Sequence, residues 1–187
     1  MHLTRKVFLA FYKFNLNVKK LYNKLHQIYN SKWFLFKLIV MKILFDDNYF
    51  MDQAIAEAKK AYLEGEIPVG AIITIDQRII ARAHNLSEKL NDVTAHAEMQ
   101  AITSASNFLN SKYLSNCTIY VTLEPCVMCM GALFWSKIER IVYAASDPKS
   151  GFRKRNVLTH PKTKISYGIR EDESSNLLKA FFRAQRE

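Results

Sequence analysis

Cysteine is scarce in this chain, and so are the residues that punctuate loops. Three cysteines, five glycines and four prolines occur in 187 residues. So few cysteines, and an odd number, exclude the disulfide framework on which small secreted domains rely. The shortage of Gly and Pro excludes a collagen-like or low-complexity chain. A membrane-spanning run is also missing. The most apolar stretch, Trp33 to Phe45, is broken by Lys37 and Lys42, and it falls short of the roughly 20 apolar residues a span needs. No small-residue cleavage site follows it to mark a signal peptide. Apolar residues nevertheless make up 49% of the chain, and the length suits one globular domain with its own core rather than two.

Acidic residues are absent before Met41, which skews the formal net charge of +10. Residues 1–40 hold eight basic side chains (Arg5, Lys6, Lys13, Lys19, Lys20, Lys24, Lys32 and Lys37) and no acid. Residues 41–187 hold 19 basic against 17 acidic and are nearly balanced. The whole-chain charge is therefore a weak argument for a nucleic-acid partner. A local argument survives: Lys149, Arg153, Lys154, Arg155, Lys162 and Lys164 follow one another with no acid between them. Such a patch can neutralise phosphates and release counterions, or it can remain a solvated basic loop. One reading of the basic N-terminal extension 1–40 is an amphipathic surface helix. The preferred reading is that Met1–Val40 is upstream sequence from a misassigned start, and that the domain spans 41–187. Recovery of peptides from before Met41 in cell extracts would contradict it.

Hydrophobic spacing predicts a helix over Tyr49–Leu63, with Phe50, Ala54, Ala58 and Ala61 on one side. A β-hairpin follows, turning at Asp76-Gln77. An Ala-rich helix covers Ala95–Ser106, and Cys117–Leu123 reads as a strand buried on both faces. A helix from near Cys126 to Ser136, a strand over Arg140–Ala145, a loop through the basic patch and a short strand over Lys164–Ile169 come next. A final helix runs from Ser174 to Arg186, capped by Ser174 or Ser175. This order predicts an α/β fold, a three-layer α/β/α domain on a mixed five-stranded sheet, beginning with an antiparallel hairpin and continuing through right-handed βαβ crossovers.

Two segments carry chemistry, Thr94-Ala95-His96-Ala97-Glu98 and Glu124-Pro125-Cys126-Val127-Met128-Cys129. Cysteines three apart at a helix start project to one side and can reach one ion. The positive end of the helix favours their thiolate form. Pro125 suits the start of a helix, where its missing N–H would have no partner. His96, Cys126 and Cys129 supply three ligands for one Zn2+. The fourth tetrahedral position stays open for water, as in a catalytic rather than a structural zinc site. Glu98, two residues beyond His96, is placed to move a proton between water, substrate and leaving group. This H-x-E…P-C-x-x-C pattern is a known signature of zinc-dependent nucleobase deaminases.

From Tyr49 to Arg186 the sequence resembles the bacterial tRNA adenosine deaminases, which convert the wobble adenosine of an anticodon to inosine. The resemblance rests on Ile67-Pro68-Val69-Gly70-Ala71, Asn85, the two zinc segments extended by Val121-Thr122-Leu123, Asp147-x-Lys149-x-Gly151 and Phe181-Phe182-Arg183. It implies a cytidine-deaminase-like fold, one Zn2+ per subunit, a homodimer and a cytoplasmic enzyme. The implied partner is tRNA, an arginine tRNA with an A-starting anticodon. Asn85, Ala97 and Asp147 become the substrate-binding residues, with Asn85 hydrogen-bonding the flipped adenine and Asp147 lying against the nucleotide. An amide offers both a donor and an acceptor to a purine edge, and an unpaired anticodon base is cheap to extrude. Lys149, Arg153, Lys154 and Arg155 become candidates for the RNA backbone. "SGFRKRN" at 150–156 departs from the family's small-residue stretch by being more basic.

Other residues have duller readings. Cys117 is expected to be a small core residue, and His84 a structural one. His160 and Arg183 lie where RNA contact is conceivable, whereas Phe181 and Phe182 read as core. Three alternatives compete with the tRNA reading: a deaminase of a free base or nucleoside such as guanine or cytosine, a catalytically silent RNA-binding subunit, and a structural zinc module. The first needs no phosphate-binding patch, the second would lack Glu98, and the third would close the fourth ligand position.

Overall fold

A computed structural model describes residues 45–186. The expected extension 1–40, the start at Met41, and His2 and His26 lie outside the described residues. Helix α1 (Asp47–Leu63) starts where Asp46 Oδ1 accepts from the Tyr49 N–H at 2.9 Å, satisfying a donor that has no partner within the helix. Strands β1 (Gly70–Ile75) and β2 (Arg78–His84) form the hairpin. Its turn residues Asp76 and Gln77 have φ of 47° and 62°, the left-handed pair whose twist matches the flanking strands. Then come α2 (Ala97–Leu109), β3 (Cys117–Leu123), α3 (Val127–Trp135), β4 (Arg140–Ala145), β5 (Lys164–Tyr167) and α4 (Glu171–Ala184).

The sheet order is β2-β1-β3-β4-β5. β1 runs antiparallel to both neighbours, while β3, β4 and β5 are parallel. Side chains alternate between two cores, as the strand period of two requires. Ala71, Ile73, Ile119, Val121, Ile141 and Tyr143 pack with Ala97, Ala101 and Ala105 of α2 and Met130 and Leu133 of α3. On the opposite face Ile72, Tyr120, Val142 and Ala144 pack with Phe50, Met51, Ala54 and Ile55 of α1. α4 lies beside α1 through the Tyr62 and Phe181 rings, 5.9 Å apart. The result is the expected α/β/α domain on a mixed five-stranded sheet. Cys117 is buried in the first core, where burial pushes its thiol up.

As expected, β4 and β5 are joined by irregular chain, over 146–163, although they pair in parallel. Two expectations are corrected. First, β5 stops at Tyr167, because Gly168 (φ 88°) and Arg170 (φ 60°) turn the backbone away. Second, α4 begins at Glu171, and Ser174 is buried inside it rather than capping it. The start of α4 is marked by Glu171, Asp172 and Glu173 in its first turn, whose charges favour the positive helix end.

Two contacts fix α1 on the sheet. Gly70 passes so close to α1 that a Cβ there would collide with the Ala54 carbonyl and the Ala58 N–H. Neither backbone can yield, so Gly70→Ala is expected to cost about 3 kcal/mol, read from the denaturant midpoint. At the other end, Arg140 grips Asp47 with two hydrogen bonds of 2.7 Å, and the Tyr120 hydroxyl donates to Asp47 at 2.8 Å. The Arg140 hydrogen bonds hold the Asp47 carboxyl below the usual range, against the opposing effect of burial. A lowered folded-state pKa adds stability above the unfolded value of 3.8 and loses it as pH falls through the folded value. Asp47→Asn should therefore cost about 1 kcal/mol at pH 7, after allowing for partial exposure. In matched denaturation curves the deficit should shrink below about pH 4.

Candidate active site

The site lies at the carboxyl ends of β3 and β4, where ligands collect in open α/β sheets. The α2 and α3 N-termini meet there. His96 and Cys126 occupy the N-cap positions of these helices in extended conformations (φ −67°, ψ 154° and φ −74°, ψ 176°), and neither caps its helix with its side chain. A Ser or Asp would ordinarily stand at such positions and satisfy the helix N–H groups. Here the side chains turn toward each other instead. His96 Nδ1 lies 3.7 Å from the Cys126 sulfur and 3.5 Å from that of Cys129. The three ligand atoms are within 4.8 Å of one another, and no other His, Cys or carboxylate among the described residues joins them. One imidazole with two sulfurs suits zinc.

Electrostatics within the cluster follow from its proximity. The Cys129 thiol donates toward Cys126, holding Cys126 down at about 4 and pushing Cys129 up. Cys126 in turn raises His96. Glu98 is 4% exposed, and burial pushes its carboxyl up to about 7. It stands outside the ligand group, so it is free to carry a proton.

Above the cluster is a cavity of about 160 Å3, lined by His96, Ala97, Glu98, Cys126, Asn85 and Asp147, with Ile67, Val69 and Leu123 as its apolar walls. The structure therefore brings together every expected ligand and substrate residue, and all of them line the cavity except Cys129, which is wholly buried and joins the group through its sulfur. Lys149, Arg153, Lys154 and Arg155 do not reach the cavity; they lie exposed on the loop that borders it. Arg153 is partly engaged within the protein, with its guanidinium 4.7 Å from the Tyr167 ring centroid and 3.3 Å from the Tyr143 hydroxyl.

Sequence reasoning misses the parts that hold this loop in place. Buried Glu124 accepts from the Asp147 N–H and the Arg153 N–H, both at 3.0 Å. The Phe152 N–H donates to the Pro125 carbonyl at 2.9 Å, and Gly151 pairs with Cys126 across a β-bridge. A Cβ on Gly151 would collide with the Glu124 carboxyl. Asp147 caps the turn, with Oδ1 accepting from the Lys149 and Ser150 N–H groups at 2.9 and 3.0 Å. The basic loop is thus fastened to the cysteine-bearing turn. Ser87, Ser150 and Glu66 are also missed; Ser87 and Ser150 line the cavity. The acid immediately before Pro125-Cys126 is the one available signal for the Glu124 clamp.

Of the remaining residues, His84 lies 3.7 and 3.5 Å from the Glu57 and Glu64 carboxyls, away from the cavity lining. His160 packs on Phe134 at 5.5 Å between ring centroids. Phe181 is core as expected, whereas Phe182 is 44% exposed beside Arg183, which corrects its assignment to the core. No helix of the described residues is long and apolar enough to cross a membrane.

Comparison with known proteins fits this geometry. The cytidine and deoxycytidylate deaminase zinc-binding region matches residues 45–145. A tRNA-specific adenosine deaminase of Aquifex aeolicus is 48% identical, over 74% of this chain and 95% of that protein. A solved tRNA:A34 deaminase, studied for A-to-I editing at the wobble position of transfer RNA, is 39% identical. The match covers 70% of this chain and 99% of that one, with a TM-score of 0.64. A guanine deaminase of Nitrosomonas europaea has a TM-score of 0.63 over 73% of this chain and 84% of its own, but only 20% identity. That last likeness is one of fold alone.

Proposed function

Because the chain belongs to the tRNA-specific adenosine deaminases of the cytidine and deoxycytidylate deaminase family, we propose that it deaminates the wobble adenosine of a tRNA anticodon to inosine in the cavity above His96, Cys126 and Cys129. The observation that carries this reading is the convergence of three metal-binding atoms, a buried carboxyl group and an amide in one cavity beside a basic loop. The enzyme takes Zn2+, one ion per subunit, held by His96, Cys126 and Cys129. Bound there, zinc makes hydroxide available near neutral pH.

Glu98 takes one proton from the attacking water and delivers it to the purine ring nitrogen, then takes the second from the hydroxyl group added to the ring carbon and delivers it to the departing amine. The balance is adenosine plus water to inosine plus ammonia. Asn85 hydrogen-bonds the nucleotide, Ala97 forms the floor against which the base lies, and Asp147 sits beside it. Lys149, Lys154 and Arg155 follow the RNA backbone, with Arg153 contributing from its perch on Tyr167. The preferred substrate is an arginine tRNA with an A-starting anticodon, which places the enzyme in the cytoplasm, where tRNA is used. A homodimer completes the reading, with exposed Val127 and Trp135 on α3 as apolar surface for a second copy.

Shared fold cannot separate this substrate from guanine, since tRNA-acting and guanine-acting relatives superpose about equally. Identity taken with coverage favours the tRNA: a tRNA-specific relative is 48% identical over 95% of its own length, whereas a guanine deaminase that is 38% identical is matched over 65% of its own. The zinc-loaded protein should be incubated in parallel with such a tRNA, free guanine and free cytosine, and the products resolved as nucleosides and bases. Inosine from the tRNA alone is expected. Turnover of a free base with the tRNA unmodified would overturn the reading.

A further inference from the structure

Glu66 lies between α1 and β1 and is 1% exposed, yet it takes no part in the chemistry described above. A carboxyl group is costly to bury unless its lone pairs are satisfied. Among the described residues, every group that meets Glu66 through a hydrogen bond is an N–H. Oε1 accepts from the Lys89 backbone at 2.8 Å. Oε2 accepts from the Glu88 backbone at 3.2 Å and from Asn85 Nδ2 at 2.9 Å.

The consequence falls on Asn85. Its amide has a donor end and an acceptor end, and a carboxylate can face only the donor end. The Ser87 hydroxyl oxygen lies 2.7 Å from the same Nδ2, so both N–H bonds are used within the protein. Asn85 Oδ1 makes no hydrogen bond among the described residues, and Asn85 lines the cavity. The cavity is therefore offered an acceptor.

We propose that Glu66 is a positioning residue that locks the Asn85 amide with Oδ1 toward the cavity, where it accepts a hydrogen bond from an N–H or O–H of the bound nucleotide. This rests on the adenosine-deaminating reading of the same site. Glu66→Gln keeps the shape but brings an N–H2 of its own. Its one oxygen keeps the shorter backbone bond, from Lys89 at 2.8 Å, so its N–H2 takes the position that faces the Glu88 N–H and Asn85, and the Asn85 amide turns over.

The variant should keep its zinc content, with a small fall in melting temperature from the unmet Glu88 N–H. Its kcat/KM for inosine formation on tRNA should fall roughly ten- to a hundredfold, the usual cost of presenting a donor where an acceptor is needed. The same change on an Asn85→Ala background should cost nothing further, because Glu66 acts through that amide. Losses that multiply in the double variant would overturn the proposal. A second readout does not depend on turnover: by NMR, the Asn85 side-chain N–H2 should exchange slowly in the unaltered protein and quickly in Glu66→Gln. Rapid exchange in the unaltered protein would overturn the proposal even if the enzyme were active. A protected amide without inosine formation would count against the substrate reading, while supporting the Glu66 lock.

Discussion

Glu98→Ala is expected to lower inosine formation by roughly 10²- to 10⁴-fold, the usual contribution of a positioned acid–base group, while zinc content and tRNA binding stay unchanged. The separation follows from geometry. Glu98 lines the cavity but stands outside the group formed by His96, Cys126 and Cys129, so deleting its carboxyl group removes no ligand. Burial sets its value at about 7, where one group can both accept and return a proton near neutral pH. The small side chain of Ala leaves room for water, so RNA affinity should not suffer. Single-turnover kinetics with a radiolabelled tRNA, run beside a metal assay and a binding titration, checks all three quantities. Unchanged turnover would contradict the proton-transfer role. Turnover lost together with zinc would instead move Glu98 into the metal site.

Cys129→Ala is expected to do more, and in a different order. Cys129 is wholly buried at the third residue of α3, under the cavity. Without its sulfur, two ligands remain, too few for a stable tetrahedral zinc site. Zinc should fall from about one per chain to nearly none, taking inosine formation down to background. Ligand binding to the folded state also contributes to folding, so the melting temperature should fall, whereas Glu98→Ala should leave it in place. Chelation of the unaltered protein should reproduce the loss, and added Zn2+ should restore it. Elemental analysis beside calorimetry tests the pair of effects. A variant that kept both zinc and activity would remove Cys129 from the ligand set.

How much of this is legible in the sequence depends on the kind of signal. The buried strands Cys117–Leu123 and Arg140–Ala145 stand out as continuous apolar runs, and α1 by its spacing of Phe50, Ala54, Ala58 and Ala61. The cysteine pair, His96 and Glu98 are readable because metal chemistry fixes residue type and spacing together. The start of α4 misleads because two serines look like caps, while the structure uses a left-handed Arg170 and three acids instead. The β4–β5 connection is legible as a loop from its basic, aperiodic run, but not what holds it, which is Glu124 and the Asp147 turn. Glu66 and Glu124 are invisible for a further reason. Each acts across a long sequence separation, on Asn85 and on Arg153, and no local periodicity records such contacts. Asn85 alone reads as an ordinary turn residue, and only its neighbours raise it. Its amide orientation belongs to the folded chain alone.

Sequencing of the tRNA product tests the central claim most directly. An arginine tRNA with an A-starting anticodon is incubated with the zinc-loaded protein, reverse-transcribed and sequenced, inosine being read as guanosine. The expected result is an A-to-G change at the wobble position and at no other adenosine, absent with the Glu98→Ala protein. Adenosine persisting at that position, with zinc bound and the tRNA in complex with the protein, would contradict the account.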